Sequence, residues 1–289
     1  MSILFTGATG LVGQASLRAI NALSLPLSIR IASHRPAAER TLPPNQEVVP
    51  FDFWEPVTFL PALNGVETLF LLRPPHIADV PQVFEPLIAA AVQAQVQHIV
   101  FLSVQGVEKM SFIPHHKIER LIESSGLRFT FLRPAYFMQN FLTTLHPELV
   151  ENQRIFLPAG KAKFALIDVR DIGAAVANIL ASPAQFAGKK LTLTNEEVRT
   201  FGEMAAILQA ELGVPIKDVA PGLFRFIGYQ RKKGVAWSFI LVMLLLHFLP
   251  RFQADPTPSS TLAHLLERPP VGFQQFVRDH REQLLGIDP

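Results

Sequence analysis

The chain of 289 residues contains no cysteine, which excludes disulfide bonds, a thiol nucleophile and thiolate metal ligands. No metal site is assigned. The absence fits a reducing compartment, and we expect a cytoplasmic protein, although a chain without disulfides is also allowed outside the cell. An excess of charge is lacking too: the formal net charge is +2, and no run of Lys or Arg is longer than residues 231–233. A nucleic-acid partner is therefore not expected.

Tyrosine and tryptophan are scarce, with two of each beside 23 phenylalanines, so the aromatic surface favours apolar partners or substrates. Residues 235–249 carry no charge, but these 15 residues fall short of a membrane span, which needs about 20. Three interpretations of 235–249 stay open: a lid over a substrate cavity, a dimer face, or a peripheral membrane contact. The last would be helped by Arg231, Lys232, Lys233 and Arg251.

A glycine-spaced turn follows the first predicted strand. A predicted strand at 2–6, apolar at its three central positions, precedes Gly-Ala-Thr-Gly-Leu-Val-Gly at 7–13, and a helix is predicted over 14–23. In a dinucleotide-binding turn the first glycine allows the tight turn, the second lets backbone approach a pyrophosphate, and the third lets the helix pack close to the strand. The helix N-terminus offers N–H groups to the phosphates. The residues predicted to bind the pyrophosphate are Gly7, Thr9, Gly10, Leu11, Val12 and Gly13.

Apolar strands alternate with helices along the first half of the chain. Strands are predicted over 28–33, 48–53, 68–72, 98–103 and 129–134, and helices over 57–63, 80–95 and 115–125. Repeated βα units predict an α/β fold with a doubly wound, parallel Rossmann sheet. The predicted core covers 1–150, with contributions returning at about 165–195, and 196–289 form a smaller, mainly helical substrate-binding lobe. Thr200 and Glu203 predict a capping box at the start of one of its helices.

The carboxyl ends of the strands form the ligand crevice of such a sheet. The second strand ends in Ser33, His34 and Arg35, without the acid that usually binds a free ribose 2′-hydroxyl. NADP(H) is therefore favoured over NAD(H). The further residues predicted at the cofactor follow the other strand ends: Asp52, Phe53, Leu72, Arg73, Ser103, Pro134 and Tyr136.

Five segments carry a family resemblance: 6–13, 115–126, 129–134, 137–140 and the ending 266–280. Together they resemble the NmrA-like branch of the atypical short-chain dehydrogenases/reductases, over nearly the whole chain. The resemblance implies a Rossmann fold and NAD(P) binding. It also places residues 235–249 in the substrate-binding lobe, which favours a lid or cavity wall among the three interpretations of that segment. It leaves two functions open. One is an NADPH-dependent reductase that passes hydride to a small apolar conjugated acceptor, such as a quinone, an imine or iminium, or a dye. The other is a non-catalytic NADP(H)-sensing regulator.

The usual dehydrogenase pair, Tyr-x-x-x-Lys, supplies a proton from a phenol whose pKa the lysine lowers. Tyr136 is followed four positions later by Asn140. Tyr229 and Lys233 have the literal spacing but lie far beyond the sheet-forming region, and we interpret the match as chance. We therefore expect an oxidoreductase without the usual pair, acting on an acceptor that is already electrophilic.

His115 is the candidate catalytic residue, because the resemblance aligns it with a His or a catalytic Lys of relatives. On a helix, His115 shares a face with Ile118, Glu119 and Ile122. Glu119, one turn away, is predicted to orient the imidazole or to raise its pKa. The alternative is a core histidine on an apolar helical face. Three aromatic residues, Tyr136, Phe137 and Phe141, are expected to line the substrate pocket, and the chain is expected to be a monomer or a homodimer.

Overall fold

The computed structural model describes residues 1–35 and 42–287. The strands in these residues are, in chain order, β1 Ser2–Phe5, β2 Ser28–Ser33, β3 Gln46–Pro50, β4 Thr68–Leu72, β5 His98–Leu102, β6 Arg128–Pro134, β7 Tyr136–Phe137, β8 Arg154–Phe156, β9 Lys163–Ile167, β10 Lys189–Leu193, β11 Val198–Thr200 and β12 Lys217–Val219. The α-helices are α1 Leu11–Ala22, α2 Phe59–Leu63, α3 Val80–Gln93, α4 Pro114–Ser124, α5 His146–Asn152, α6 Val169–Ala181, α7 Phe201–Leu212, α8 Leu223–Lys232, α9 Trp237–His247, α10 Thr261–Leu266, α11 Phe273–Asp279 and α12 Arg281–Leu284.

The chain forms two compact units. The first contains Met1–Pro134, Val169–Leu193 and His264–Glu267. The second contains Ala135–Asp168, Thr194–Ala263 and the chain from Arg268 onward. Residues 135–150, predicted to belong to the nucleotide-binding core, thus lie in the second unit, while the contribution that returns to the first unit is Val169–Leu193. The functional role of each unit stays a prediction.

A seven-stranded sheet forms the centre of the first unit. Its order is β10-β6-β5-β4-β1-β2-β3, and every neighbouring pair is parallel. The strand order reverses between β1 and β4, which pair through Leu4 and Leu69. The predicted doubly wound, parallel α/β fold is confirmed, and the reversal fixes the position at which such sheets bind ligands.

The central strands and the helices above them follow from the pattern of apolar residues. β4 and β5 are apolar after their first residues, Thr68 and His98, and β5 is buried along its whole length, as expected of strands covered on both faces. In α3, Val80, Val83, Phe84 and Leu87 are buried at helical spacing. The helix begins where the Asp79 carboxylate accepts a hydrogen bond from the Gln82 N–H at 3.0 Å.

Close packing against α6 fixes the position of α1. A Cβ added to Gly173 of α6 would lie 2.6 Å from the carbonyl carbon of Ala15, so only glycine allows this approach. At the N-terminal end of α1, a Cβ on Gly13 would lie 2.1 Å from the Gly7 carbonyl oxygen. Gly173 and Gly13 therefore allow α1 to pack directly against the backbone of α6 and of the glycine turn.

The second unit has its own aromatic core. The strands form one sheet in the order β11-β9-β7 and one β12-β8 pair. Phe141, Phe201, Phe226, Phe273 and Phe276 are fully buried among the surrounding helices. Thr200 and Glu203 form the predicted capping box, in which the Thr200 N–H donates to Glu203 Oε2 at 2.7 Å. Among the residues that the structure describes, no helix combines the length and apolar character needed to cross a bilayer.

Candidate nucleotide-binding site

The glycine-spaced turn lies at the reversal point of the sheet, between the ends of β1 and β4. Gly7 adopts φ +69°, a left-handed conformation that favours glycine. A Cβ there would also approach the Leu72 side chain to 3.0 Å. The Gly10 N–H donates to the Gly7 carbonyl at 3.0 Å and closes the turn. Gly7 and Gly13 are therefore required by the fold itself.

Gly10 differs from these two glycines. It precedes α1 with φ −81° and ψ 168°, an extended backbone that any residue adopts. A Cβ there would meet only the Gly7 carbonyl oxygen at 3.5 Å, an ordinary contact. The residue is exposed, and so are its neighbours Thr9 and Leu11. The protein's own packing does not require glycine at position 10, whereas a ligand lying against the backbone would.

The first turn of α1 presents N–H groups to the space beside Gly10. The first N–H groups of a helix have no carbonyl partner within it and carry a partial positive charge. No acidic residue stands in the first turn of α1. The Gln14 side chain donates to the Thr9 carbonyl at 2.9 Å and fixes the approach of the chain to the helix. This arrangement fits a pyrophosphate.

Thr6 fixes the relative position of β1 and β4 at this point, a role that the sequence did not reveal. Its hydroxyl donates to the Phe70 carbonyl at 3.1 Å and accepts from the Leu72 N–H at 2.8 Å. Thr6 is buried, so both bonds are shielded from water. A hydroxyl residue directly before the first glycine was the available signal.

Ser103 lies at the carboxyl end of β5. Its N–H donates to the Leu132 carbonyl at 2.7 Å. The hydroxyl is buried, and it has no hydrogen-bond partner among the described residues. A buried hydroxyl without a partner costs free energy. A ligand atom at the strand ends would satisfy it, which is a second indication of a site here.

At the end of β2, the described residues 33–35 include no carboxylate. The Ser33 hydroxyl donates to the Arg35 carbonyl at 3.0 Å, which holds a tight turn. His34 and Arg35 are exposed. At the end of β3, the Asp52 carboxylate accepts from the Trp54 N–H at 2.9 Å, and the Phe53 ring packs edge-on against Phe51. Asp52 thus organises its own loop.

Arg73 and His115 contact each other beyond the end of β4. Arg73 Nη1 donates to the carbonyls of Pro74, Pro75 and Ile77 at 3.0, 3.1 and 2.6 Å, so this arginine holds the loop after the strand. Its Nε donates to His115 Nε2 at 3.4 Å. The imidazole proton is therefore on Nδ1.

Burial and the charge of Arg73 lower the pKa of His115 to about 3. Burial likewise lowers the pKa of Arg73. His115 is consequently a neutral imidazole at physiological pH. It can donate a hydrogen bond from Nδ1, but it holds no proton that titrates near neutrality.

Glu119 does not orient His115. Arg133 Nε and Nη2 donate to the two Glu119 carboxylate oxygens at 3.0 and 2.5 Å. Arg133 Nη1 also donates to Glu108 at 3.1 Å. The predicted face of α4 is correct, since Ile118, Glu119 and Ile122 are its buried residues. The carboxylate is used in an ion pair with β6, which a helical wheel alone does not show.

Tyr136 lies in the second unit, and its hydroxyl already has a partner. His247 Nδ1 donates to the Met243 carbonyl at 2.8 Å, so Nε2 is unprotonated and accepts from the Tyr136 hydroxyl at 3.0 Å. Burial lowers the pKa of His247 to about 4 and raises the pKa of Tyr136. Both groups are neutral at physiological pH.

The other two predicted pocket residues differ from each other. Phe137 is half-buried in β7, where it pairs with Ile167. Phe141 is fully buried and packs on Phe201 and Phe273 at ring-centre distances of 6.3 and 5.0 Å. Phe141 is therefore a core residue of the second unit in this structure, and its predicted place on a pocket surface is not observed.

Tyr229 and Lys233, which have the Tyr-x-x-x-Lys spacing, meet at one carboxylate. The Tyr229 hydroxyl and Lys233 Nζ donate to Glu148 Oε1 at 2.6 and 2.5 Å. Arg154 Nε donates to the other carboxylate oxygen at 2.7 Å. In the second unit this pair thus ties α8 to α5 and β8.

The sheet order and the glycine turn at its reversal point define a Rossmann-type nucleotide-binding protein. Residues 1–222 match the model of the NmrA-like family, and the chain belongs to that family. A (4-alkanoyl-5-oxo-2,5-dihydrofuran-3-yl)methyl phosphate reductase of Streptomyces griseus is 32% identical over 97% of this chain and 98% of the relative. The NAD(P)H azoreductase of Xenophilus azovorans is 28% identical over 96% and 97%.

A solved structure shares the fold over the same length. The triphenylmethane reductase of Citrobacter sp., complexed with NADP(H), superposes with a TM-score of 0.84. It is 23% identical, and the match covers 96% of this chain and 99% of that chain. The match of residues 1–222 to the NmrA-like family model confirms the predicted resemblance.

Proposed function

We propose that this protein is an NADPH-dependent reductase that transfers hydride to an apolar conjugated acceptor, such as a quinone, an iminium or a dye. The observation that carries the proposal is the open backbone at Gly10, beside the first turn of α1 and at the reversal point of a parallel sheet. Bound NADPH would supply the hydride. The relatives named as reductases, one of them NAD(P)H-dependent, support this assignment.

The cofactor contacts follow from the strand ends of the first unit. In the proposal, N–H groups of Leu11, Val12 and Gly13 bind the pyrophosphate, with Gly7 and Thr9 shaping the turn. The exposed Arg35, with Ser33 and His34 beside it, binds the 2′-phosphate. The unpartnered Ser103 hydroxyl contacts the cofactor near the centre of the sheet edge.

The remaining predicted contacts have supporting roles in this proposal. Phe53 and Asp52 lie at the adenine end, beyond β3, and Leu72 packs under the glycine turn. Arg73 holds the loop after β4 and the ring of His115. Pro134 ends β6, where its carbonyl accepts from the Gln105 N–H at 3.0 Å. Tyr136 follows β6 at the start of the second unit.

The state of His115 favours an activated acceptor. A general acid works best with a pKa near the operating pH, and that of His115 is about 3. The neutral ring can polarise an acceptor through Nδ1–H, but it does not deliver a proton as an imidazolium. A cationic iminium or dye needs only the hydride. A quinone would take its proton from water.

Mixing the NADPH complex with a panel of dyes, iminium ions and quinones in a stopped-flow instrument tests the proposal. Loss of reduced-nicotinamide absorbance in a single exponential phase, fastest for cationic acceptors, is the expected result. Tight NADPH binding without oxidation by any acceptor would contradict it and would favour the NADP(H)-sensing regulator. No NADPH binding at all would also remove the nucleotide site.

The variant Gly10→Ala tests the site, and Gly222→Ala is its matched control. Gly222 precedes α8 with φ −64° and ψ 159°, close to the conformation of Gly10, and a Cβ there meets no atom within 4 Å. Both substitutions thus change a helix N-terminus in the same way. Only Gly10→Ala is expected to slow NADPH oxidation at limiting cofactor.

A further inference from the structure

One helix of the second unit is apolar on the side that faces solvent. In α9 the buried residues are Ile240, Met243 and His247, which have the spacing of a single helical face. The outer face would ordinarily be polar. Here it carries five large apolar side chains that are between 45% and 59% exposed: Trp237, Phe239, Leu241, Val242 and Leu246. We call these five residues the α9 outer face.

The segment around α9 also has an unusual charge. Residues 219–254 contain no Asp or Glu but contain Arg225, Arg231, Lys232, Lys233 and Arg251. Because the whole chain carries only +2, these five positive charges leave the remainder of the chain at −3. The segment that contains α9 thus carries more net positive charge than the whole chain does.

Four of these cations are available to a partner. Lys233 is held by Glu148 at 2.5 Å. Within the described part of the chain, no ion pair is formed by Arg225, Arg231, Lys232 or Arg251. All four are exposed. They satisfy no acid of the second unit.

Cations and apolar residues are in direct contact at this surface. The Arg231 guanidinium lies over the Trp237 ring at 5.2 Å from its centre. At the other end of α9, Arg251 lies over the Phe248 ring at 5.2 Å, and Phe248 contacts Phe252, which is 72% exposed. Each end of the helix therefore has an arginine stacked on an aromatic ring.

We propose that the α9 outer face and its surrounding cations bind the surface of a bilayer that contains anionic lipids. The apolar side chains would enter the interface between headgroups and acyl chains, while the cations would meet lipid phosphates or carboxylates. Aromatic rings at the water boundary suit this position. With 11 residues, α9 is about 16 Å long. It would lie in the membrane plane, because a span needs about 30 Å.

Charge decides between this partner and a second copy of the chain. In a two-fold dimer the same surface meets itself. Two α9 outer faces would bring two sets of unpaired cations together, with no acid in 219–254 to offset them. Like charges facing each other in an interface disfavour association. An anionic bilayer satisfies the apolar and the charged part of the surface at once.

Vesicle flotation of the full chain tests the proposal. Phosphatidylcholine vesicles with about one third phosphatidylserine should bind the protein at low ionic strength, and pure phosphatidylcholine vesicles should bind it far less. Binding should fall when salt shortens the Debye length from about 30 Å to about 8 Å. In Trp54→Phe, Trp237 is the sole tryptophan. Its emission should shift to the blue with anionic vesicles.

Matched substitutions assign the binding to this surface. Val242→Asn should reduce partitioning about tenfold, the value of burying one valine. Val92→Asn, at a valine of α3 that is 44% exposed, should change nothing. Lys232→Gln should cost about fivefold per charge removed, and Lys217→Gln, at an exposed lysine of β12, should have little effect.

Three results would overturn the proposal. They are absence of binding to anionic vesicles at low salt, equal losses in the control variants, and a wild-type homodimer in sedimentation that Val242→Asn dissociates. The last would identify a second copy as the occupant. The test does not depend on NADPH turnover, so it fails or succeeds separately from the proposed reductase function.

Discussion

Alanine substitution at two glycines of the same turn should affect two different properties: the stability of the fold and the binding of a ligand. Gly13→Ala places a Cβ 2.1 Å from the Gly7 carbonyl oxygen and 2.8 Å from the Ala8 Cα. Both contacts are with backbone, which cannot rotate away. Gly10→Ala places a Cβ no nearer than 3.5 Å to any atom outside its chain neighbours. The first change perturbs the fold, and the second perturbs only what binds beside the turn.

The two substitutions should differ clearly in their effect on the free energy of unfolding. Overpacking costs about 1–3 kcal/mol and sometimes more. Rigid backbone on both sides places Gly13→Ala at about 3 kcal/mol or above, which lowers Tm by about 6 °C or more in a chain of this size. Gly10→Ala loses a favourable N-cap residue but also restricts the unfolded chain, so stability changes by less than about 1 kcal/mol.

The effect of Gly10→Ala should appear in nucleotide affinity. A methyl group beside the first turn of α1 prevents close approach of the pyrophosphate and removes at least one charge-assisted hydrogen bond. Such a bond is worth about 1.5–3 kcal/mol, so the Kd for NADPH should rise about tenfold to a hundredfold. Calorimetric titration measures the Kd, and differential scanning calorimetry measures Tm.

Gly222→Ala is the control, because it alters another glycine N-cap of similar backbone conformation in the second unit. It should leave the NADPH Kd unchanged. A Gly10→Ala protein with wild-type Tm and wild-type NADPH affinity would show that no ligand lies against Gly10. A Gly13→Ala protein with unchanged Tm would refute the packing explanation.

Three further substitutions test single contacts. Arg35→Ala should weaken NADPH binding about tenfold to a hundredfold and leave NADH binding nearly unchanged, because only NADPH carries the 2′-phosphate; equal losses in a calorimetric comparison would give Arg35 a folding role. Glu119→Gln should lower the free energy of unfolding in denaturant titration by about 1.5–3 kcal/mol, because Arg133 loses its buried charged partner and keeps the more exposed Glu108. Dye reduction by the folded protein should change less than twofold; a tenfold slower reduction would restore Glu119 as a positioning residue for His115. Burial, with the charge of Arg128, lowers the pKa of His98 from 6.5 to about 4. As the pH is lowered from 6.5 to 4, the unfolded chain therefore binds this proton before the folded chain does, and the free energy of unfolding should fall. His98→Gln should remove up to about 3 kcal/mol of that pH dependence, and an unchanged pH profile of stability would contradict the explanation.

The sheet was predictable because its strands are apolar in short runs between turn residues. The bounds 28–33 and 68–72 are those observed. Errors of a few residues occur where ends are irregular: the third strand is Gln46–Pro50, while 48–53 was expected. Pro50 and the Asp52 turn end it early, because proline has no N–H for the ladder. Hydrophobic pattern thus predicts which segments pair, whereas local hydrogen bonds decide their ends.

The contacts of the predicted site residues were less predictable from the sequence than their positions in helices and strands. The helical wheel of α4 correctly placed Glu119 on the buried face. Its partner, however, is Arg133 of β6, which lies 14 residues further along the chain in the next strand. Phe141 was expected on a pocket surface, but it packs on Phe273 from near the end of the chain. Both contacts depend on long-range packing, which no local spacing encodes.

The strength of the proton donor at the site should determine which class of acceptor is reduced fastest. Reduction of an ordinary carbonyl needs an acid of suitable pKa beside the hydride. In the first unit of this protein, burial and the charge of Arg73 keep His115 uncharged. A histidine whose imidazolium form exists only below about pH 3 is a weak general acid near neutral pH. Acceptors whose reduction is complete on arrival of the hydride escape this requirement, which is why a cationic dye or iminium should react faster than a quinone of equal driving force.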